Sequence, residues 1–525
     1  MIKHSITCVL AALSITAPSF AGKKEITLTQ IGRYTTGVFA AGACEIAAHD
    51  PKTQRLFVVN AASSSVEVID INNPAAPTLV KVIDLTPYGD QANSVDFHHG
   101  VLATAVQAEV KTNPGKVVFF DADGNFINSV EVGALPDMLT YTPDGRYVLV
   151  ANEGEPASDY SIDPEGSISV IDLKRGADRV TQADVATAGF GSFNLGTLDS
   201  SVRIFGPGAT VAQDLEPEYI TVSHDSKTAW VTLQENNALA IVDIRSGEVL
   251  DIVGLGFKDH SLPGNAFDPS DRDSAVNGGI NIANWPVYGM YLPDAIASFR
   301  AKGRTYLITA NEGDARDYSA FAEEARVSSL SLDPTAFPNG AFLKNNARLG
   351  RLSVTKTLGD SDGDGDYDAL YSFGGRSFSI WNADGSLVFD SGDDLEQLTA
   401  ALLPSVFNSD HESNGSRDTR SDNKGPEPEA VTVGEVKGET YAFIGLERMS
   451  GIVVYNVSNP AAPEFVQYVN PRDFAGNAAA GTAGDLGPEG LHFIPNSESP
   501  TGDALLVVAN EISGSVSIYS ISKVK

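Results

Sequence analysis

The sequence predicts an all-β protein: a seven- or eight-bladed β-propeller of four-stranded antiparallel blades with long loops on one face. Three observations carry this expectation. Short β-branched runs of strand length recur along the chain, punctuated by Pro, Gly, Asn and Asp. A two-strand motif aligns on itself eight times, at 56–71, 101–124, 147–173, 229–244, 306–333, 369–385, 441–457 and 505–521. The spacing is about 40–50 residues with no helical period between copies, which is the repeat of a propeller blade. A β-sandwich accounts poorly for so many copies. The sixth copy is irregular, so the eight hairpins reduce to seven blades if its neighbours absorb it.

The chain starts with Lys3 and His4, an apolar run from Ile6 to Ile15, and then Ser19-Phe20-Ala21. That order of charge, apolar run and small residues predicts a signal peptide over 1–21, leaving 22–525 as a single propeller domain in a secreted or periplasmic protein. No later apolar run approaches the ~20 residues of a membrane helix, so no membrane span is expected. Of two cysteines, Cys8 lies in the signal and Cys44 sits beside Ala43 and Ile46 as an apolar strand residue. One remaining cysteine makes no internal disulfide, so the fold must rest on its core or on metal. Asp and Glu number 68 against 36 Lys and Arg, a formal net charge of −32. This balance disfavours nucleic acid and anionic membranes and favours cations. An acidic solvating surface explains scattered acids equally well, but it does not explain acids at repeated positions.

Leu28–Arg33, ahead of the first unit, is expected to be an outer strand that closes the ring against the last blade. In the third unit, Met138–Tyr141 and Arg146–Val150 flank a Pro-Asp-Gly turn, and Ser167–Leu173 follows an acidic loop. The acids recur at two corners. First strands begin at Pro136-Asp137, Pro217-Glu218, Pro293-Asp294, Pro428-Glu429 and Pro488-Glu489, with Glu45 in the corresponding place of the first unit. Second strands end at Glu153, Glu235, Glu312, Glu447 and Glu511. Antiparallel neighbours bring the start of one strand and the end of the next to one edge, so both sets should ring the channel on one rim. Glu155, Asp159, Asp163 and Glu165 crowd one loop there, and Asp314, Asp317, Glu323 and Glu324 another. Loops on a rigid scaffold commonly carry sites.

The sharpest local motif is GDSDGDGDYDAL at 359–370. Asp360, Asp362 and Asp364 before Gly365, then Asp366 and Asp368, repeat the alternating oxygen ligands of a calcium loop, while Tyr371 stands where an EF-hand has its bidentate glutamate. The repeat alignment places this loop between strands one and two of a sixth blade, opposite the acidic rim, in a structural role. Arg316, Arg326, Arg376, Arg420 and Arg448 are candidate anion clamps, each with a carboxylate neighbour as the plainer alternative. His98-His99 lies on a first strand, and His411 and His492 stand alone, so neither a zinc motif nor a serine triad is expected.

PDMLTYTPDGRYVLVANEGEP, NWPVYGMYLPDAIASF, TANEGDARDY, FGGRSFSIWNADGSLVFDSGDD, RSDNKGPEPEAVTVG, AFIGLERMSGIVVYNVSNPAAPEFVQY and DLGPEGLHFIPN together resemble the choice-of-anchor I family. That family includes mesenchyme-specific cell-surface glycoproteins of echinoderms and bacterial relatives labelled alkaline phosphatase. The resemblance covers nearly the whole mature chain. It implies an extracytoplasmic propeller associated with calcium and with phosphate-ester hydrolysis, and it supplies no catalytic residue set. Many relatives continue beyond the last strand, whereas this sequence stops at Lys525, so anchoring by a C-terminal segment is not expected.

Two functions follow. The first is a secreted or periplasmic calcium-binding propeller that acts as a binding module through its acidic rim, toward an extracellular protein, glycan or phosphate-ester ligand. The second is a calcium-dependent phosphoesterase at the same rim, with Glu153, Glu312, Arg316 and Glu447 as candidate catalytic residues.

Overall fold

The computed structural model describes residues 25–274 and 278–524. The segment 1–21, with the expected signal peptide and Cys8, lies outside the described residues. Seven four-stranded antiparallel sheets form the blades. Their innermost strands are Ala47–Asp50, Gln91–His98, Pro136–Tyr141, Pro217–Val222, Ile296–Ala301, Pro428–Val436 and Pro488–Ile494. Each packs beside the next, and the seventh returns to the first, so the strands surround one channel. Ring closure falls to Ile26–Thr35, which becomes the outer strand of blade seven and pairs Leu28 with Ile521, as the sequence predicts.

Seven apolar clusters fill the seven gaps between blades. Phe57 and Phe120 lie between blades one and two, Phe119 and Val148 between two and three, and Leu149 and Val231 between three and four. Trp230 and Trp381 fill the gap between four and five, Phe378 and Tyr455 that between five and six, Phe443 and Leu506 that between six and seven, and Val58 and Val507 that between seven and one. Every middle strand is buried on both faces, which is why LFVVN, YVLVAN and ALLVVAN read as continuous apolar runs rather than alternating ones.

The blade count is seven because the fifth and sixth sequence units are one blade. Its second strand, Arg304–Asn311, pairs with Ser377–Asn382, with Asn311 opposite Ser377. Residues 312–376 are an insertion between these two strands. Within it Glu324–Arg326, Ser353–Thr355 and Tyr371–Ser372 join Phe257–Asp259 and Tyr288–Met290 in a separate five-stranded sheet. That sheet packs on its own core of Phe267, Trp285, Leu343, Leu352 and Val354. The second run expected in the 306–333 unit is instead a 3-10 turn at Val327–Ser329 followed by an isolated bridge at Leu332.

This topology also corrects the place of the aspartate loop. It connects Ser353–Thr355 to Tyr371–Ser372 inside the insertion, which leaves blade five at Asn311, on the acidic side and not opposite it.

Candidate functional site

The site is a carboxylate-lined channel mouth built by one recurring corner. In blades three, five, six and seven the residue before the proline has a left-handed φ: +49° at Leu135, +45° at Leu292, +50° at Glu427 and +65° at Gly487. For three of these the residue is not glycine, and such a conformation costs energy that its surroundings must offset. The second strand supplies the offset. Glu153 N–H donates to the Leu135 carbonyl at 2.9 Å, Glu447 N–H to Glu427 at 2.8 Å and Glu511 N–H to Gly487 at 2.8 Å; Gly313 N–H does the same for Leu292 at 3.1 Å. Just after the corner the inner strands lose register, between Pro136 and Leu139, Pro217 and Ile220, Pro428 and Val431, and Pro488 and Gly490. A bulge adds a residue and re-aims a side chain. Here the bulged residue is the acid.

The result is two tiers. The inner tier carries Glu45, Asp137, Glu218, Asp294, Glu429 and Glu489, with Asn93 at the equivalent bulge of blade two. The outer tier carries Glu153, Glu235, Glu312, Glu447 and Glu511 in blades three to seven, and Ala61 and Gln107 in blades one and two. The two acids of a blade couple closely. The strongest like charge on Glu218 is Glu235, on Asp294 it is Glu312, on Glu429 it is Glu447, and on Glu489 it is Glu511. Burial, reinforced by these neighbours, pushes the carboxyls up. Asp137 and Glu235 rise to about 7, Glu447 to about 8 and Glu45 to about 9; Glu153, Glu218, Asp294, Glu429 and Glu489 also lie well above the usual range. Buried oxygens without a hydrogen-bond partner remain on Glu235, Glu429, Glu447 and Asn93.

Neutralisation is uneven around the ring. Lys424, from the linker between blades five and six, places its ammonium against Glu312 and within 3.6 Å of both Glu427 and Asp314. Glu427 is completely buried and also accepts from Arg420 Nε at 2.7 Å and Arg448 Nε at 2.9 Å. Despite burial, these three cations hold its carboxyl far below the usual range. Arg448 Nη1 lies 3.2 Å from Glu447, and His411 Nδ1 lies 2.9 Å from the same carboxylate. At blade four, Arg316 is buried between Asp214 and Glu216. All five arginines singled out in the sequence are paired, since Arg326 meets Asp422 at 3.2 Å and Arg376 meets Glu396 at 2.6 Å. By contrast, the charges bearing on Glu45, Asp137, Glu153 and Glu489 are all carboxylates.

A cavity of about 260 Å³ opens along this unneutralised arc, with Glu45, Asp137, Glu153, Asp294 and Glu489 among its walls. Tyr219 lies beneath it and also lines a second cavity of about 320 Å³ further down the channel, among Thr140, Thr221, Ser298 and Thr432. Glu155 stands at the outer edge, ion-paired to Lys111 and accepting from the Tyr318 hydroxyl at 3.0 Å. Asp159 is exposed and caps its own turn at Ser161, Asp163 is half-buried, Asp317 is exposed, and Glu323 is buried against Arg203. The outer loops therefore spread their acids apart, and the corners gather theirs.

Two groups at the mouth bring three ligand atoms within 4.8 Å of one another: Glu312, Glu427 and Glu447, and His411, Glu447 and Glu511. His411 does not stand alone, as its isolation in sequence suggested. His98 and His492 lie lower on their inner strands, away from the acids, with His492 facing His49 at 6.4 Å between ring centres. In the aspartate loop, Asp360, Asp362 and Asp368 form a third such group, and Asp366 and Asp368 form a fourth with Asp333. Asp333 lies outside the motif and is brought in by Asp333 N–H donating to the Tyr367 carbonyl at 3.1 Å. Asp364 lies in the same loop and belongs to neither group.

Residues 45–460 match the family model of the choice-of-anchor I domain. The chain belongs to the choice-of-anchor I domain family. Two relatives are similar to this choice-of-anchor I protein. Gigasin-3a of Magallana gigas is 32% identical over 190 residues, 34% of this chain and 66% of that one. The mesenchyme-specific cell surface glycoprotein of Strongylocentrotus purpuratus is 30% identical over 284 residues, 47% of this chain and 36% of that one. The chain thus spans less than two thirds of the length of either relative. Among solved structures, hydrazine synthase of Kuenenia stuttgartiensis shares 14% identity at a TM-score of 0.46, covering 93% of this chain and 99% of its own. A streptogramin B lyase shares 10% at 0.45, covering 95% and 98%. Among the described residues no helix is long and apolar enough to cross a membrane.

Proposed function

We propose that this choice-of-anchor I protein is a secreted or periplasmic calcium-binding propeller that acts as a binding module, with its partner held at the acidic channel mouth. One observation carries the reading. Strained, bulged corners repeated in several blades aim carboxylates into the channel, and the charges bearing on Glu489, Glu45 and Asp137 of blades seven, one and three are carboxylates. Strain held at repeated positions points to function rather than to stability. The cell-surface name of the sea-urchin relative and the expected signal peptide support a place outside the cytoplasm. Calcium fits the aspartate loop, whose clustered donors are all hard oxygens and which gains Asp333 where the motif lacks its last carboxylate.

The test is calcium titration of the purified protein by calorimetry and thermal unfolding, with Asp360→Asn and Asp368→Asn beside the wild type. Heat of binding and a rise in Tm that both variants lose support the calcium assignment. The absence of either in the wild type sinks it.

A second reading, a metal-dependent phosphoesterase at the same mouth, is favoured by Glu447, which belongs to both ligand groups there. A carboxylate shared between two cation positions is how metal pairs are held for phosphoryl transfer, and Arg448 lies beside it as an anion clamp. Against it, the Lys424 ammonium already contacts two members of one group. Hydrolysis of bis-p-nitrophenyl phosphate that is lost on chelation and on Glu447→Gln would favour this second reading over the module.

A further inference from the structure

The chain itself shows what kind of group this ring accepts. Where it neutralises the mouth, it does so by inserting a basic side chain from a loop. Lys424 is 7% exposed, with its ammonium against Glu312 and Glu427. Arg316 is 3% exposed, with its guanidinium against Asp214 and Glu216. The arc through blades seven, one and three carries Glu489, Glu45, Asp137 and Glu153, and the charges bearing on these four are carboxylates; the nearest loop cations act on its neighbours, Arg448 and His411 on Glu511 and Lys111 on Glu155.

We infer that this arc binds a primary ammonium on a flexible stem, a lysine side chain of a partner protein, in the niche that Lys424 fills for its own sector. The inference rests on the mouth being the partner site. Three features favour an ammonium here over a bare metal ion. First, the compact carboxylate triad at the mouth is Glu312, Glu427 and Glu447, and Lys424 occupies it. Among the described residues, Glu45, Asp137, Glu153 and Glu489 form no group of three ligand atoms as close as 4.8 Å. Second, an unpartnered acceptor faces the cavity: Asn93 leaves its buried Oδ1 unpaired in the wall, while its Nδ2 donates to the Pro136 carbonyl at 3.1 Å. An ammonium brings three N–H donors and needs no acceptor of its own, so it suits a wall in which carboxyl groups predominate among the charged groups. Third, the cavity is about 260 Å³ and is lined by Tyr219, Ile46, Leu135 and Met138 as well as by its acids, so an aliphatic stem finds apolar contact there.

The experiment uses the full mature protein and four probes: a lysine-containing peptide, the same peptide with acetyl-lysine, 1,5-diaminopentane and calcium chloride. Each is titrated by calorimetry into wild type, Asp137→Asn and Glu489→Gln. The lysine peptide is expected to bind. Acetylation, which removes the charge and keeps the stem, should weaken binding by about tenfold or more, and each variant by about tenfold, as for the loss of one charge-assisted hydrogen bond. A separate arm needs no folded ring variant to bind peptide: Lys424→Ala should lose Tm and recover it in propylamine, which refills the vacated niche. Failure of propylamine to restore Tm overturns the template. Binding of the diamine without the peptide replaces the protein partner with a free amine. Binding of calcium that is lost in Glu489→Gln, with no lysine peptide bound, overturns the ammonium while the rim stays a site. Silence from all four probes at the mouth removes both the inference and the rim reading.

Discussion

Glu427 and Glu429 sit two residues apart at one corner, and the structure gives their removal opposite consequences. Glu427 is fully buried beneath Arg420, Lys424 and Arg448, which hold its carboxyl far below the usual range despite burial. A depressed carboxyl contributes stability above its unfolded pKa of about 4.3 and loses it only as pH falls through the folded value. Glu427→Gln therefore leaves Arg420 without its ion-pair partner and takes one of the carboxylates from Lys424 and Arg448 at pH 7, and breaking a buried ion cluster by removing one member costs about 3–5 kcal/mol. Unfolding entropy of about 2 cal/mol/K per residue over roughly 500 residues is about 1 kcal/mol/K, so Tm should fall by about 3–5 °C. Glu429 is the reverse. Burial, then Glu447 and Glu312, push its carboxyl well above the usual range, and one oxygen has no partner. A raised carboxyl favours the fold below its unfolded pKa and loses that benefit as pH climbs through the folded value. Glu429→Gln keeps the shape and abolishes the charge, so Tm should rise at pH 8.5 and stay level at pH 5. Scanning calorimetry of both variants at the two pH values is the assay. If both variants move Tm in the same direction at pH 8.5, the division of the ring into supplied and unsupplied acids is wrong.

The other predictions follow the same logic. Asp137 and Glu235 near 7, Glu447 near 8 and Glu45 near 9 are all raised, so the wild-type Tm should decline as pH rises from 5 to 9; a Tm that climbs over that window contradicts the buried acid ring. Calcium at a hundredfold its Kd should add about 2.7 kcal/mol, roughly 3 °C in unfolding scans, and Asp360→Asn should abolish that gain. Leu28→Ala, in the closing strand where Leu28 is 4% exposed, should cost about 2–5 kcal/mol by thermal or chemical unfolding, although it lies at the edge of the last blade. A negligible change there would mean that the ring does not depend on its closing strand.

Much of this was legible in the sequence because a propeller repeats its local chemistry. The Pro-acid corner and the glutamate at the end of strand two could be read from spacing alone, and so could the closing strand at Leu28–Arg33. The blade count was harder, because residues 312–376 separate two paired strands and contain strands of their own. A repeat alignment has no way to know that Ser377–Asn382 completes a blade begun at Ile296. The electrostatics were less legible still. Lys424 meets Glu312 across 112 residues and Arg316 meets Asp214 across 102, so no local pattern marks either pair. His411 reaches Glu447 from a separate linker, and Asn93 carries no charge to draw notice. Left-handed corners at Leu135, Leu292 and Glu427 also escape a sequence reading, since none of these residue types advertises a positive φ.

A ring of seven equivalent acid corners would repel itself all round and would distinguish no direction for a ligand. This chain breaks that symmetry in two ways. Blades one and two replace their outer acids with Ala61 and Gln107, and blade two replaces its inner acid with Asn93, so that its amides keep oxygens at the corner without a charge. Blades four to six keep their acids and receive Arg316 from the insertion, Lys424 from a linker and Arg448 from the turn after Glu447. Between these two solutions lies the arc of Glu489, Glu45, Asp137 and Glu153, where neither relief acts directly on these four carboxyls, around a cavity that Tyr219 also lines. The seven-bladed frame supplies identical positions, and the loops decide which of them stay charged. Substituting the loop cations should therefore enlarge the proposed ligand site toward blade five without altering the blades, whereas substituting the corner acids should erase it where it stands.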